Sequence, residues 1–238
     1  LQSFDPQAFV GDSNVPQDIC NFVLALALVY NDCKNGIFTN LLLTESKPVG
    51  KRQLSRSWGA YSGMKLHYIR LHFALIHELL NLIAANEPTT RHPFFVSVIK
   101  LLPRTVRDSW DALVNASLQK PTSRPLNKVL LMIRNKVSFH YDPKELYRGY
   151  RWHFFKSADS TEPAFVSRGT SMKGSRFYFA DAAADGYFQS QAENKDSSEL
   201  INRLADITAD LNQTIMQIVD RFIQKRGYAY KDHKVETT

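Results

Sequence analysis

The sequence predicts an all-α protein, a helical bundle with a long C-terminal helix packed on it. Three observations carry that prediction. Apolar residues recur at three- and four-residue steps over long stretches, as in Leu66, Ile69, Phe73, Ile76, Leu80 and Ile83, and again in Leu200, Leu204, Ile207, Leu211, Ile215, Ile218 and Phe222. Helix start signals stand at Pro16-Gln17-Asp18, Pro121-Thr122-Ser123-Arg124-Pro125 and Asp142-Pro143-Lys144-Glu145. Glycine and proline are scarce, 10 of each in 238 residues, so the chain has few points at which long helices must break. At 44% hydrophobic it can bury one sizeable core or two small ones.

In chain order, residues 1–15 read as irregular. Pro16-Gln17-Asp18 opens the first helix, with proline in the first turn and the acid at the positive end of the dipole. Asn35-Gly36 is its stop signal. Ile19, Phe22, Val23, Leu24, Leu26, Leu28 and Val29 lie almost all round it, which predicts a central position. Residues 36–54 read as a loop carrying Lys47, Lys51 and Arg52, a solvated loop being favoured over a phosphate-binding one. Ser55 or Ser57 starts a second long helix, which Asn86-Glu87-Pro88 ends after about Ala85. Residues 92–102 form a short apolar segment closed by Pro103. A helix of about 104–119 follows, with Val106, Trp110, Leu113 and Val114 on its inner face. From a cap at Thr122 or Ser123 the next helix carries Leu126, Leu130, Ile133 and Val137 on one seam. Asp142 then caps a helix of about 143–156. Residues 157–195 are richer in Gly, Ser, Thr and acids. There Ala164-Phe165-Val166 and Arg176-Phe177-Tyr178-Phe179 read as two short strands joined around Gly169–Gly174. Residues 192–197 are a polar linker, Ser197 or Ser198 caps the last helix of about 198–226, and Gly227 stops it. The tail 228–238 is expected to fray. The predicted organisation is a bundle over 16–156, an irregular or hairpin insertion over 157–195 and a C-terminal helix over 196–227, one domain overall.

Charge and motifs narrow the chemistry. Thirty Lys and Arg against 23 Asp and Glu leave a net charge of +7, compatible with an anionic partner such as RNA and equally with none. Cys20 and Cys33 are too few for a disulfide framework or a zinc site. On one continuous helix they stand about 20 Å apart, which excludes a mutual disulfide. A reducing, cytoplasmic setting fits them. The apolar run Ile19–Tyr30 is too short to span a bilayer, so no membrane association is expected. Leu, not Met, comes first, and the natural N-terminus is expected to be hidden. No Gly-rich phosphate loop, Gly-x-Ser-x-Gly elbow or His-Glu-x-x-His motif occurs. His67, His72 and His77 are five residues apart and spread around their helix, so they lack the i, i+4 spacing of a helical metal site.

The remaining candidate lies at Leu130-Leu131-Met132-Ile133-Arg134-Asn135-Lys136-Val137-Ser138-Phe139-His140. Arginine is a permanent cation, and histidine can take or give a proton near neutral pH; together they suit a phosphodiester. On a regular helix Arg134 and His140 lie on either side of one seam, within reach of a common interface, while Asn135 points away. The helix start at Asp142 puts His140 at a junction. Glu78, beside the apolar stripe of its helix, is a candidate partner for Arg134. In the following helix basic and aromatic residues alternate from Lys144 to Lys156. That mixture suits phosphate contacts with base stacking, but the favoured reading is an aromatic core face with a solvated cationic edge.

Arg134-Asn135-(four residues)-His140 at the end of a bundle helix resembles the signature of the HEPN superfamily: an Arg, often followed by a polar residue, a short spacer, then His. Tyr141-Asp142 and the prompt restart of a helix also fit. The resemblance covers residues 16–156 and implies a HEPN-like helical bundle that forms a homodimer and brings two motifs together. It further implies a metal-independent endoribonuclease of a defence, toxin or stress system, needing no cofactor, with an antitoxin or regulatory protein as a further partner. His140 would then be the general base or acid at the ribose 2′-hydroxyl and the leaving 5′-oxygen. Arg134 would stabilise the phosphorane, and Asn135 would orient it by hydrogen bonding. Lys136, Arg148 and Arg151 are the candidate RNA contacts. Products would end in 2′,3′-cyclic phosphate or 3′-phosphate. One subgroup carries a modifiable Tyr two residues after the His. Here Tyr141 follows at once and Asp142 takes that place, so this regulation is not carried over. The superfamily also holds members that only dimerise or bind RNA or nucleotides, which is the alternative function. A plain helical scaffold is the third reading.

Overall fold

The computed structural model describes residues 2–50, 55–118, 130, 142–156, 163–168, 175–192 and 197–233. Eight α-helices dominate the described residues: α1 (Gln17–Glu45), α2 (Arg56–Ala85), α3 (Glu87–Thr90), α4 (Pro93–Ile99), α5 (Arg104–Ser117), α6 (Pro143–Phe155), α7 (Tyr178–Ala192) and α8 (Ser197–Lys225). Their β-structure is one antiparallel ribbon, β1 (Gln2–Ser3) on β2 (Lys231–Asp232), and an isolated bridge between Ser167 and Arg176. The fold is an all-α helical bundle, as the apolar periodicity predicts. Among the described residues no helix is long and apolar enough to cross a membrane. The chain divides into two compact units, one of Leu1–Lys34, Glu78–Arg124 and Ile207–Thr238, the other of Asn35–His77 and Pro125–Asp206.

The first unit is built on three buried rings. Phe22 of α1 lies 5.5 Å from Phe95 of α4 and 6.5 Å from Trp110 of α5, and Phe95 lies 5.6 Å from Trp110. Around them Ile19, Val23, Leu26, Ile83, Leu211, Ile215 and Ile218 are buried. On α5 the predicted inner residues Val106, Trp110 and Leu113 are buried, while Val114 is half-buried. The α1 helix is not enclosed all round, however: Leu24 and Leu28 are exposed. A continuous apolar wheel therefore overstates how much of this helix its neighbours cover.

Residues 2–15 and 228–233 are more structured than the sequence predicts. Pro6–Phe9 form a 3₁₀ turn capped by Asp5, and Phe9 packs on Phe222 of α8 at 5.4 Å. Arg226, its side chain only 4% exposed, donates to the Val10 carbonyl at 2.5 Å and the Gln7 carbonyl at 3.3 Å, and lies 2.9 Å from the Asp12 carboxylate. Gly227 stops α8 with φ +84°. Its N–H donates to the Gln224 carbonyl at 2.9 Å and that of Tyr228 to the Ile223 carbonyl at 3.2 Å, the paired bonds that close a helix on a left-handed residue. Tyr230 then meets Phe4 at 5.9 Å and Lys231–Asp232 pair with β1, so residues 228–233 are ordered where the sequence predicts fraying; residues 234–238 of that tail lie outside the described residues. Ring burial and carbonyl satisfaction here offset an ordering entropy that a polar tail alone could not.

The second unit departs from the sequence reading in two places. α1 does not stop at Asn35-Gly36 but continues to Glu45, so residues 36–45 are helix rather than loop. Leu43 is buried, and Lys65 of α2 donates to Asn40 Oδ1 at 2.8 Å and Thr44 Oγ1 at 3.0 Å. Packing against α2 overrides the local stop signal. The strand predicted over Arg176–Phe179 also does not form. Ser167 and Arg176 exchange backbone bonds at 2.8 and 3.0 Å, and the Phe179 N–H donates to the Phe165 carbonyl at 3.3 Å, but Tyr178 already opens α7. Ala180, Ala182, Ala183 and Ala184 favour helix, and that preference wins over the aromatic β signal. Gly59 and Gly63 of α2 leave room for the Tyr178 ring and for the Arg176–Asp181 ion pair (2.8 Å).

His72 of α2 stacks on Tyr68 with ring centroids 5.5 Å apart, and burial pushes its pKa below the ordinary value. A histidine with a depressed folded pKa is held neutral, so at lower pH the unfolded chain binds more protons and stability falls as pH falls. The expected loss begins as pH drops through about 6.5. Thermal melts between pH 8 and 5 should show it, and His72→Phe should flatten that slope; an unchanged slope would refute the assignment.

Candidate nucleic-acid interface

α6 begins where the sequence places it. Asp142 is extended, at φ −70° and ψ 111°, and its carboxylate accepts from the amides of Lys144 at 3.0 Å and Glu145 at 3.4 Å, with Pro143 in the first turn. Asp142→Ala is expected to remove about 1 kcal/mol of stability, read from the urea midpoint.

Two glycines set the closeness of α6 and α7. A Cβ on Gly149 would collide with the Ala183 carbonyl oxygen and come within 2.5 Å of the Tyr187 nitrogen. A Cβ on Gly186 would collide with the Gly149 carbonyl oxygen and lie 3.0 Å from His153 Cβ. The helices thus touch backbone to backbone, with Phe154, Ala183, Ala184 and Tyr187 buried. Burial first, and then the Glu145 carboxylate, push the Tyr187 phenol up to about 12, so it stays protonated. Glu145 Oε2 is buried and accepts no hydrogen bond among the described residues; Arg148 Nη1 lies 3.8 Å away.

The opposite face of α6 is open. Lys144, Tyr147, Arg148, Arg151 and Phe155 are exposed and share an arc of about 100°. Tyr147 and Phe155 are each 64% exposed. The favoured sequence reading, an aromatic core face with a solvated cationic edge, holds for buried Phe154, half-buried Tyr150 and Trp152 and the exposed Lys144, Arg148, Arg151 and Lys156, but not for Tyr147 and Phe155. These two aromatics are not on the core face; Gly149 and Phe154 are. The Phe155 ring rests 6.1 Å from Tyr150, and Lys156 Nζ lies 4.2 Å over the Trp152 ring.

Of the predicted site residues, Arg148 and Arg151 stand together on this face. Arg134, Asn135, Lys136 and His140 lie outside the described residues, as does most of the helix predicted to carry them; Leu130, within it, is helical and fully buried. The pairing suggested for Glu78 with Arg134 lies outside them too; Glu78 accepts from Asn81 at 3.4 Å. Tyr147 and Phe155 are the residues that sequence reasoning passed over. A helical wheel puts them in the arc of Arg148 and Arg151, and that signal was present in the spacing. Among the described residues no group of three or more His, Cys, Asp or Glu is placed to hold a metal ion. Cys20 and Cys33 are free and buried, and burial raises the Cys33 thiol to about 11. No protein-family model, curated protein or solved structure matches the chain.

Proposed function

We propose that this chain is a metal-independent endoribonuclease that cuts RNA through attack of the 2′-hydroxyl, with His140 moving the proton and Arg134 stabilising the phosphorane. RNA supplies its own nucleophile, so a cation and a proton carrier suffice for the chemistry. The observation that carries the reading is the course of the chain after His140. The Asp142 cap follows at once, and α6 then presents Arg148 and Arg151 outward beside exposed aromatics. Homodimerisation, bringing two Arg134–His140 pairs together, and restraint by an antitoxin or regulatory protein belong to the same reading. So does a place in a defence, toxin or stress system.

The test is incubation of the full chain with labelled RNA, with and without EDTA, and analysis of the product ends. Cyclic 2′,3′-phosphate or 3′-phosphate ends, formed equally in EDTA, are expected. Cleavage that requires Mg²⁺ and leaves 5′-phosphate would sink the proposal. A second reading, a module that binds RNA or a nucleotide or dimerises without turnover, is favoured by the α6 face, which binds without needing an acid–base group. RNA binding with no cleavage would select it.

A further inference from the structure

We infer that the outward face of α6 is a binding surface for single-stranded RNA, with Tyr147 and Phe155 stacking on bases and Lys144, Arg148 and Arg151 holding the backbone. The identity of the polyanion rests on the proposed RNA-directed function; the surface itself rests on the structure. Five side chains at three- and four-residue spacing share one arc of a capped helix, and three of them are cations. From Lys144 to Phe155 the face is about 16 Å long. Glu145 leans on Arg148 at 3.8 Å while the Arg148 side chain stays 63% exposed.

The chemistry of this face selects among polyanions. Two largely exposed rings set among three cations on one helix face form a surface that can both stack and bind phosphate. A base offers a π-face to each ring, and the phosphates between bases meet the guanidinium groups. A paired duplex hides its bases and leaves the rings uncovered. An interfacial membrane helix keeps its apolar residues on a face apart from its cations, whereas here Tyr147 and Phe155 lie among the cations in one arc. A second copy of the same face would set like charges against each other. Tyr147 and Phe155 are eight positions apart, about 12 Å along the axis, so they serve separate bases of one strand.

Fluorescence anisotropy on the full chain, with His140→Ala present so that RNA is not consumed, tests this. Wild-type α6 should bind a labelled mixed-sequence single strand more tightly than its blunt duplex. Tyr147→Ala and Phe155→Ala should each weaken single-strand binding roughly tenfold, with duplex binding nearly unchanged. Tyr147→Trp should restore it. Arg151→Ala should lower the slope of log K against log salt by about 0.7. All these positions are exposed, so melting temperatures should match the parent. The inference is overturned if the Tyr147→Ala, Phe155→Ala double variant binds the single strand like the parent, or if duplex binds as well as single strand. It is overturned equally if these variants lose binding only to anionic phosphatidylserine vesicles. Cleavage by the chain with native His140 is scored separately. Face-dependent binding without cleavage refutes the nuclease and keeps the surface; cleavage unaffected by the double variant does the reverse.

Discussion

Replacing His140 by alanine is expected to slow RNA cleavage by roughly 10²- to 10⁴-fold, the usual contribution of a positioned acid–base group. The imidazole is the only group in the Arg134–His140 stretch whose ordinary pKa lets it both accept and return a proton near pH 7. Without it, the 2′-hydroxyl must lose its proton to water. Arg134→Ala should cost a comparable factor, because the dianionic phosphorane then loses its fixed cation. Arg134→Lys should recover only part of this, since an ammonium does not reproduce the planar fork. Initial rates on labelled RNA check both, with far-UV circular dichroism and melting curves matched to the parent. A His140→Ala variant that cleaves at the parental rate, or cleavage by either variant that depends on Mg²⁺, would remove these residues from the chemistry. Asn135→Ala is expected to have the smaller effect, because on a regular helix that position would fall on the side away from the shared seam.

Gly149→Ala is the structural change with the largest expected effect. In an exposed helix interior the same substitution would stabilise by roughly 1 kcal/mol, since alanine is the better helix former. Here the added methyl would run into the Ala183 carbonyl and the backbone of Tyr187, and neither is the yielding end of a flexible side chain. Moving α7 away would loosen buried Tyr187 and Phe154. Overpacking should outweigh propensity and leave the variant about 2–3 kcal/mol less stable. Gly36→Ala is the control, because a Cβ there would sit at an ordinary 3.4 Å from the Tyr68 ring. The urea midpoint should fall sharply for Gly149→Ala and stay level or rise for Gly36→Ala. Equal midpoints for the two would show that α6 and α7 are not locked by the glycine contact.

Where the chain's own signals agree with one another, the sequence was readable. Asp142 with Pro143 named the start of α6, and Gly227 named the end of α8, because a cap or a left-handed residue is settled by the atoms within one turn. The stripe ending in Leu211, Ile215, Ile218 and Phe222 named a buried face for the same reason, since three- and four-residue steps leave no other side to bury. Arg134 and His140 were picked out by residue type and by their placement before the Asp142 cap; both lie outside the described residues, and their chemistry is the proposal tested above.

Elsewhere a distant partner outweighed the local signal. Gly36 reads as a stop, yet Lys65 reaches Asn40 and Thr44 from α2 and the helix goes on. Arg176–Phe179 reads as a strand, yet Gly59, Gly63 and the α6 backbone offer small surfaces that fit a helix beginning at Tyr178. The polar stretch after α8 reads as loose, yet the buried Arg226 side chain ties the last turn of that helix to Val10 and Asp12, and residues 231–232 pair with β1. The exposure of Tyr147 and Phe155 belongs to this second kind. Periodicity along α6 defines two faces, one with Gly149 and one with Arg151, and does not say which faces α7. The choice follows from close approach: only the glycine face lets two backbones touch, so the rings and the cations are left together on the outside.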